Sequence, residues 1–266
     1  MGKIGFIGFG NMGRAIAEGF LKTGNFSKED FIVSVNSAES KEKLQREGFK
    51  VASTDEVVKE SEVIFLAVKP KDLPTVVSQI KELPLLEKKV FISICAGVEL
   101  KKLQQLFGKE NIKLVRAMPN INVKVGKGVW ALTFGENFST KDIEKIKKLL
   151  APTGLILEVE ESLIDSVTAL AGSGPAFVAE ILDAFAQGGV KLGFKYETAL
   201  KIAVSTFLGT ISLMEEEDLH PAILRDRVTS PSGTTIYGLS KLNKEGMKGT
   251  IVEVLEEAYK RAKGLS

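Results

Sequence analysis

Residues 3–22 read KIGFIGFGNMGRAIAEGFLK. Ile4, Phe6 and Ile7 predict a short buried strand. Gly8, Gly10 and Gly13 follow in the G-x-G-x-x-G spacing, and Ala15, Ile16, Phe20 and Leu21 recur at helical intervals. In such a strand-turn-helix, the first glycine permits a tight turn and the second lets backbone approach a pyrophosphate. The third lets the helix pack closely on the strand. The open N–H groups of the helix N-terminus would hold the phosphates. Three spaced glycines mean little in a chain with 25 of them. The strand before and the helix after them turn the spacing into the expectation of a dinucleotide site. The competing reading is a purely structural turn in an α/β domain.

Working outward, Phe31–Val35 predicts the second strand. At its end, Ser34, Val35, Asn36 and Ser37 stand where a site for an unphosphorylated adenine ribose expects Asp or Glu. No carboxylate would repel a 2′-phosphate, and Ser34, Asn36 and Ser37 can donate hydrogen bonds to one. No arginine follows, and Lys41 is the nearest cation. NADPH is therefore expected over NADH, which stays as the alternative. Ala38–Arg46 reads as a helix, Phe49–Ala52 as a short strand, and Ser53 with Glu56 as a capping box. Val63–Val68 is a continuous apolar run ended by Lys69-Pro70, as for a central parallel strand. Ligands sit beyond the carboxyl ends of such strands, so Ala67, Val68, Lys69 and Pro70 are candidate coenzyme contacts. Val90–Cys95 repeats the pattern and turns at Ala96-Gly97. Cys95 reads as a small buried hydrophobe. Lys113–Met118 leads to Pro119-Asn120 at the same edge. Arg116 reads as structural there, while Asn120 offers an amide to a carboxamide or a polar substrate group. Gly126–Phe134, a helix from Ser139 to Leu150 and Leu155–Val159 complete an α/β domain over residues 1–160, a doubly wound sheet of the Rossmann type.

The composition limits the alternatives. The chain has 266 residues, enough for two ordinary domains. Its net charge is +2 with lysines spread among glutamates, which gives no basic stripe for nucleic acid. One cysteine and one histidine leave no cysteine-cluster metal site and no internal disulfide. No signal peptide is read at the start and no apolar run is read as spanning a bilayer. A soluble cytoplasmic protein is expected.

After residue 160 the strand-like runs stop, and 161–266 reads as all-helical. Leu163, Val167 and Leu170 fit one helical face, which Ala171-Gly172-Ser173-Gly174-Pro175 should interrupt. The segments 176–190 and 197–214 follow as apolar helices rich in small residues. Their broad faces suit burial between subunits, with a monomeric helical bundle as the alternative. Near the end, Val228-Thr229-Ser230-Pro231-Ser232-Gly233-Thr234-Thr235 precedes a helix that Ser230 or Ser232 can cap. Backbone N–H groups at this helix start can seat a small carboxylate. His220-Pro221 opens a neighbouring helix, and His220 reads as a packing or surface residue.

Taken end to end, the chain resembles the pyrroline-5-carboxylate reductase family. The resemblance rests on Ile7-Gly8-Phe9-Gly10-Asn11-Met12-Gly13, Ala67-Val68-Lys69-Pro70, Ser93-Ile94-Cys95-Ala96-Gly97 and Arg116-Ala117-Met118-Pro119-Asn120. It continues through Gly172-Ser173-Gly174-Pro175-Ala176 and through His220-Pro221 to Ser230-Pro231-Ser232-Gly233-Thr234-Thr235. It implies reduction of a cyclic imino acid to L-proline and a homodimer through the C-terminal helices, often assembled further to a decamer. It adds Phe9, Asn11, Met12, Ala96 and Gly97 to the coenzyme contacts and sets Met118, Pro119 and Asn120 beside the nicotinamide. Val228, Ser230, Ser232, Gly233, Thr234 and Thr235 become the substrate contacts, with Thr235 nearest the ring nitrogen. Four positions depart from the family pattern: Ser232 replaces a glycine, Ser37 an arginine, Asp218 a glutamate and Asn122 a proline. The rivals are a hydroxy-acid dehydrogenase, which needs a general acid or base that this sequence does not mark, and a non-catalytic nucleotide-binding regulator.

Overall fold

The computed structural model describes residues 2–264. Two compact units are present. One runs to Ser173 and includes the chain from Ala258 onward, and the other is Gly174–Glu257. The units part at 173/174, beyond the 160/161 boundary placed by the change in sequence pattern.

The first unit is built on one eight-stranded sheet. Its strands are β1 (Lys3–Ile7), β2 (Phe31–Ser34), β3 (Lys50–Val51), β4 (Ser61–Leu66), β5 (Val90–Ser93), β6 (Lys113–Pro119), β7 (Gly128–Phe134) and β8 (Gly154–Glu158). Between them run α1 (Asn11–Lys22), α2 (Ala38–Arg46), α3 (Thr54–Glu60), α4 (Leu73–Ile80), α5 (Leu100–Phe107) and α6 (Thr140–Leu150). The strand order is β3-β2-β1-β4-β5-β6-β7-β8. The first six strands are parallel because helical or long crossovers join them. The link from Pro119 to Gly128 is too short for a crossover, so β7 runs antiparallel to β6. β8 returns through α6 and pairs parallel with β7.

Alternate residues of the strands feed two cores. Phe6, Phe31, Val33 and Phe65 lie on one face, and Ile7, Ile32, Ile64 and Leu66 on the other. Phe6 stacks on Phe65 with centroids 5.0 Å apart. Each such side chain contributes about 1.5–3 kcal/mol by leaving water. Ser53–Glu56 and Ser139–Asp142 form the capping boxes of α3 and α6.

From Ile164 the chain is helical through α7 (Ile164–Val167), a π-helical turn (Thr168–Gly172) and α8 (Gly174–Lys191). The break expected at 171–175 is only a bend at Ser173. Pro175 cannot donate to the carbonyl four residues back, at Ala171. The π turn absorbs the misfit, with the Ser173 N–H reaching the Thr168 carbonyl at 3.0 Å. The run Glu161–Lys191 is also long and apolar enough to cross a bilayer by length and composition. Charged residues interrupt it, so it is not the unbroken apolar run that the sequence is read for.

The second unit pairs α8 with α9 (Tyr196–Glu216) and adds α10 (Pro221–Arg227) and α11 (Thr234–Lys244). Phe185 meets Phe207 edge to face at 5.0 Å. A Cβ on Gly189 would stand 2.6 Å from that of Ala199, so the two helices approach through small residues. α12 (Met247–Lys263) ends the described chain.

Candidate functional site

The strand order reverses between β1 and β4, and the turns after these two strands touch. Gly8 has φ +86°, and a Cβ there would lie 2.6 Å from the Ala67 carbonyl oxygen. Only glycine meets both conditions without strain. The Gly8 N–H donates to the Ser34 carbonyl at 2.8 Å, and the Ala67 N–H donates to the Ile7 carbonyl at 2.8 Å. Gly13 packs beneath, where a Cβ would contact the Gly8 oxygen at 3.2 Å. Gly10 is different: nothing lies within 4 Å of its missing Cβ. It is the N-cap of α1, with no side-chain cap and no acidic residue in the first turn. Asn11 is exposed and Met12 half-buried. The Phe9 ring turns inward, edge to face with Phe6 and Phe49, so Phe9 presents backbone rather than ring to a ligand. Open space, orphan N–H groups and a positive helix end fit a diphosphate.

Beyond β4, Ala67 and Val68 are half-buried and Lys69 and Pro70 exposed. Beyond β5, Ala96 is exposed and Gly97 turns with φ +71°. Burial pushes the Cys95 thiol up to about 11, and its Sγ faces the Val68 carbonyl at 3.3 Å. It is therefore a thiol rather than a thiolate near neutrality.

Three expected contacts need correction. The Ser34 hydroxyl is buried against Thr54 Oγ1 at 3.0 Å, so it does not present itself to a ribose phosphate. Asn120 is 5% exposed. Its Nδ2 donates to the Ala171 carbonyl at 3.0 Å and its Oδ1 accepts from the Val129 N–H at 3.1 Å. Both ends of that amide are engaged within the fold and do not serve a carboxamide. Pro119 is buried in β6 opposite Trp130. Met118 remains half-buried at this edge.

At the β2 end, Asn36 and Ser37 are exposed. The Ser37 hydroxyl accepts from the Ser40 N–H and so caps α2. The neighbouring carboxylates are held locally. Hydrogen bonds from Ser53 and Lys59 bring Asp55 down to about 2, and Ser53 likewise lowers Glu56.

In the second unit, the loop before α11 places Ser232 at φ +58°. This left-handed conformation is the physical reason a glycine suits the position. Gly233, rather than Ser230 or Ser232, is the N-cap of α11, with no side-chain cap and no acidic residue in the first turn. The Ser230 hydroxyl occupies the space over Gly233, 2.3 Å from a Cβ built there. Val228 and Thr234 are exposed, and Thr235 is half-buried in the first turn. His220 caps α10, its Nδ1 accepting from the Ala222 N–H at 3.2 Å.

Reading by sequence missed what Arg116 meets. It is buried between Glu161, at 3.0 Å, and Asp165, at 3.7 Å. A charged residue inside an apolar strand was the available signal.

Residues 161–265 match a family model described as pyrroline-5-carboxylate reductase dimerisation, and residues 3–97 one described as NADP oxidoreductase coenzyme F420-dependent. A pyrroline-5-carboxylate reductase of Aquifex aeolicus is 42% identical over 264 residues, spanning 99% of this chain and 97% of its own. The chain belongs to the pyrroline-5-carboxylate reductase family. Another pyrroline-5-carboxylate reductase, from Arabidopsis thaliana, is 35% identical over 266 residues, with 99% and 95% of the two chains covered. A solved pyrroline-5-carboxylate reductase structure from Coxiella burnetii superposes with a TM-score of 0.89 at 29% identity, covering 100% and 98%. One from Plasmodium falciparum, with NADP bound, gives 0.87 at 30% identity, covering 99% and 98%. The resemblance carried by the sequence blocks is thereby confirmed. So is the fold class: a Rossmann-like sheet followed by a mostly helical dimerisation region.

Proposed function

We propose that this chain reduces 1-pyrroline-5-carboxylate to L-proline, with NADPH preferred to NADH. It does so as a cytoplasmic homodimer through its C-terminal helices, with further assembly to a decamer as the alternative. The observation that carries the reading is a shared feature of α1 and α11. Both take glycine as N-cap, lack a side-chain cap and have no acidic residue in the first turn, whereas serines cap α2, α3 and α6. Two open helix starts suit two anionic groups, a diphosphate at Gly10–Gly13 and a carboxylate at Gly233–Thr235.

The coenzyme supplies hydride to the imine carbon. The chain's own part is to bind, orient and exclude water. Gly8, Gly10 and Gly13 with Phe9, Asn11 and Met12 shape the diphosphate turn. Ala67–Pro70, Ala96, Gly97 and Met118 border the remainder. The N–H groups of Gly233, Thr234 and Thr235 hold the substrate carboxylate, with Val228, Ser230 and Ser232 around it. The Thr235 hydroxyl orients or relays the proton to the ring nitrogen. It is a weak acid, so solvent is the ultimate source. Holding the reactants in line supplies much of the acceleration.

The coenzyme preference rests on Asn36, a neutral exposed donor, and on the absence of a carboxylate at the β2 end, where the Ser37 hydroxyl is itself turned to Ser40. A neutral hydrogen bond contributes about 0.5–1.5 kcal/mol, so the preference is modest. The test follows loss of reduced-nicotinamide absorbance with pyrroline-5-carboxylate, identifies L-proline by mass, and compares kcat/KM for the two coenzymes. Folded protein that turns over with neither would sink the reaction. A higher kcat/KM with NADH would sink the preference alone. Light scattering at working concentration decides between dimer and decamer.

A further inference from the structure

Arg116 and Met118 alternate along β6 and Asn120, still extended, follows its last residue, so the three continue one face of the strand. All three hold the connector that follows the sheet. Arg116, 5% exposed, forms ion pairs with Glu161 and Asp165. The same Glu161 oxygen accepts the Leu100 N–H at 2.7 Å, which joins the start of α5 to the network. The Met118 methyl lies over Gly172, where a Cβ would stand 2.6 Å from it. Asn120 donates to the Ala171 carbonyl, the one that Pro175 leaves without its helical partner.

A buried ion pair is a poor way to gain stability, since apolar side chains of similar size would serve as well. What it adds is a fixed geometry. We propose that Arg116 is a positioning residue: with Asn120 it fixes the turn Thr168–Gly172 against the end of β6 and so holds Met118 in one place at the coenzyme edge. This rests on the reading that Met118 borders the nicotinamide.

Trp130 is the only tryptophan of the chain, fully buried and paired opposite Pro119. Energy transfer from Trp130 to bound reduced nicotinamide therefore reports where the ring sits. The full-length assembled protein is compared with Glu161→Gln, Gly172→Ala, Arg116→Lys and Arg116→Met. Glu161→Gln keeps the shape and removes the charge. Gly172→Ala displaces only the flexible end of Met118, so it folds even if Arg116→Met does not.

Glu161→Gln and Gly172→Ala are each expected to lower kcat about tenfold, as a small misplacement of reacting groups does. Both should change the transfer efficiency. Affinity for 2′-phospho-ADP-ribose, which lacks the nicotinamide, should stay unchanged. Arg116→Lys should retain more kcat than Arg116→Met or, if the latter is unfolded, remain within threefold of wild type. Equal loss of fragment affinity, or kcat losses that merely follow Tm, would overturn the proposal. So would variants indistinguishable from wild type. Wild-type protein with neither energy transfer nor turnover would overturn the coenzyme reading, and this inference with it.

Discussion

In the unit that ends at Ser173, Phe6, Phe20, Phe31, Phe65 and Phe91 are fully buried. In Gly174–Glu257 the pattern is inverted. Ala186, Ala199, Ala203 and Leu224 are inside, while Leu192 is 81% exposed, Tyr237 72% and Leu208 62%. The first sequence is satisfied by its own core. The second uses small residues to bring α8 and α9 together and keeps its large apolar side chains for something outside the single chain. Residues 161–265 match a family described as pyrroline-5-carboxylate reductase dimerisation, which fits a surface kept for assembly. A strand-and-helix domain can thus be read for folding, whereas the helical one must be read for assembly.

If the exposed face were dispensable, the second unit would not be built for assembly. Leu208 and Ile211 lie three residues apart on α9, hence on one face. Burying Leu208 in both copies of a dimer would contribute about 3–6 kcal/mol. Leu208→Glu with Ile211→Glu should convert the assembly to monomers by sedimentation, with activity lost. A dimer of undiminished stability would place the interface elsewhere.

Two glycines sharpen the contrast within the first unit. Gly8→Ala forces a side chain into φ +86° and against the Ala67 carbonyl, a strain of about 1–3 kcal/mol or more. It should lower Tm and coenzyme affinity together. Gly10→Ala meets open space. It should lower Tm only by the small amount that alanine costs at an N-cap and weaken NADPH binding far more, as titration of nicotinamide fluorescence would show. If NADPH affinity fell no further than that small loss of stability, the open space over that turn would not be a ligand's.

How much of this was legible depends on distance along the chain. The β1-turn-α1 entry, the Ser53–Glu56 box and the Ser139 cap are local, and their chemistry lies within a few residues. Ser34 with Thr54, Arg116 with Glu161 and Asn120 with Ala171 are tertiary pairs 20 to 51 residues apart. A polar residue at a strand end looks the same in sequence whether it meets a ligand or another part of the fold. The π turn was hidden for a related reason. Gly174-Pro175 reads locally as a helix break, and only Asn120, far upstream, shows how the freed carbonyl is accommodated.

A smaller effect concerns pH. Hydrogen bonds from Lys113, then Ser139, bring Asp142 down to about 2. Lys113 on β6 thereby ties the sheet to the start of α6 at 2.8 Å. With an unfolded value of about 3.9, its contribution is complete above that pH and is lost as pH falls through about 2. Asp142→Asn should lower Tm at pH 7, and the gap to wild type should narrow steadily from pH 4 to 2. Because the pair is partly exposed, added salt should shrink the gap too. A gap independent of pH would assign the loss to the altered cap rather than to the charge.

The smallest effect belongs to Ser232, where the second unit holds a non-glycine residue at φ +58°. Two terms oppose each other in Ser232→Gly. Removing Cβ relieves about 1–2 kcal/mol of left-handed strain. Glycine also loosens the unfolded chain, which takes back about 0.4–1 kcal/mol. The net is a gain between about zero and 1.6 kcal/mol, visible as an unchanged or slightly raised Tm. Because the loop forms the N-terminal approach to α11, the same change should not raise the KM for the imine if backbone N–H groups alone hold the carboxylate. A raised KM with intact Tm would mean that the Ser232 hydroxyl itself meets the substrate. A fall in Tm would mean that the serine side chain is packed in the assembled protein, and that this loop, like the apolar face, is completed by a partner.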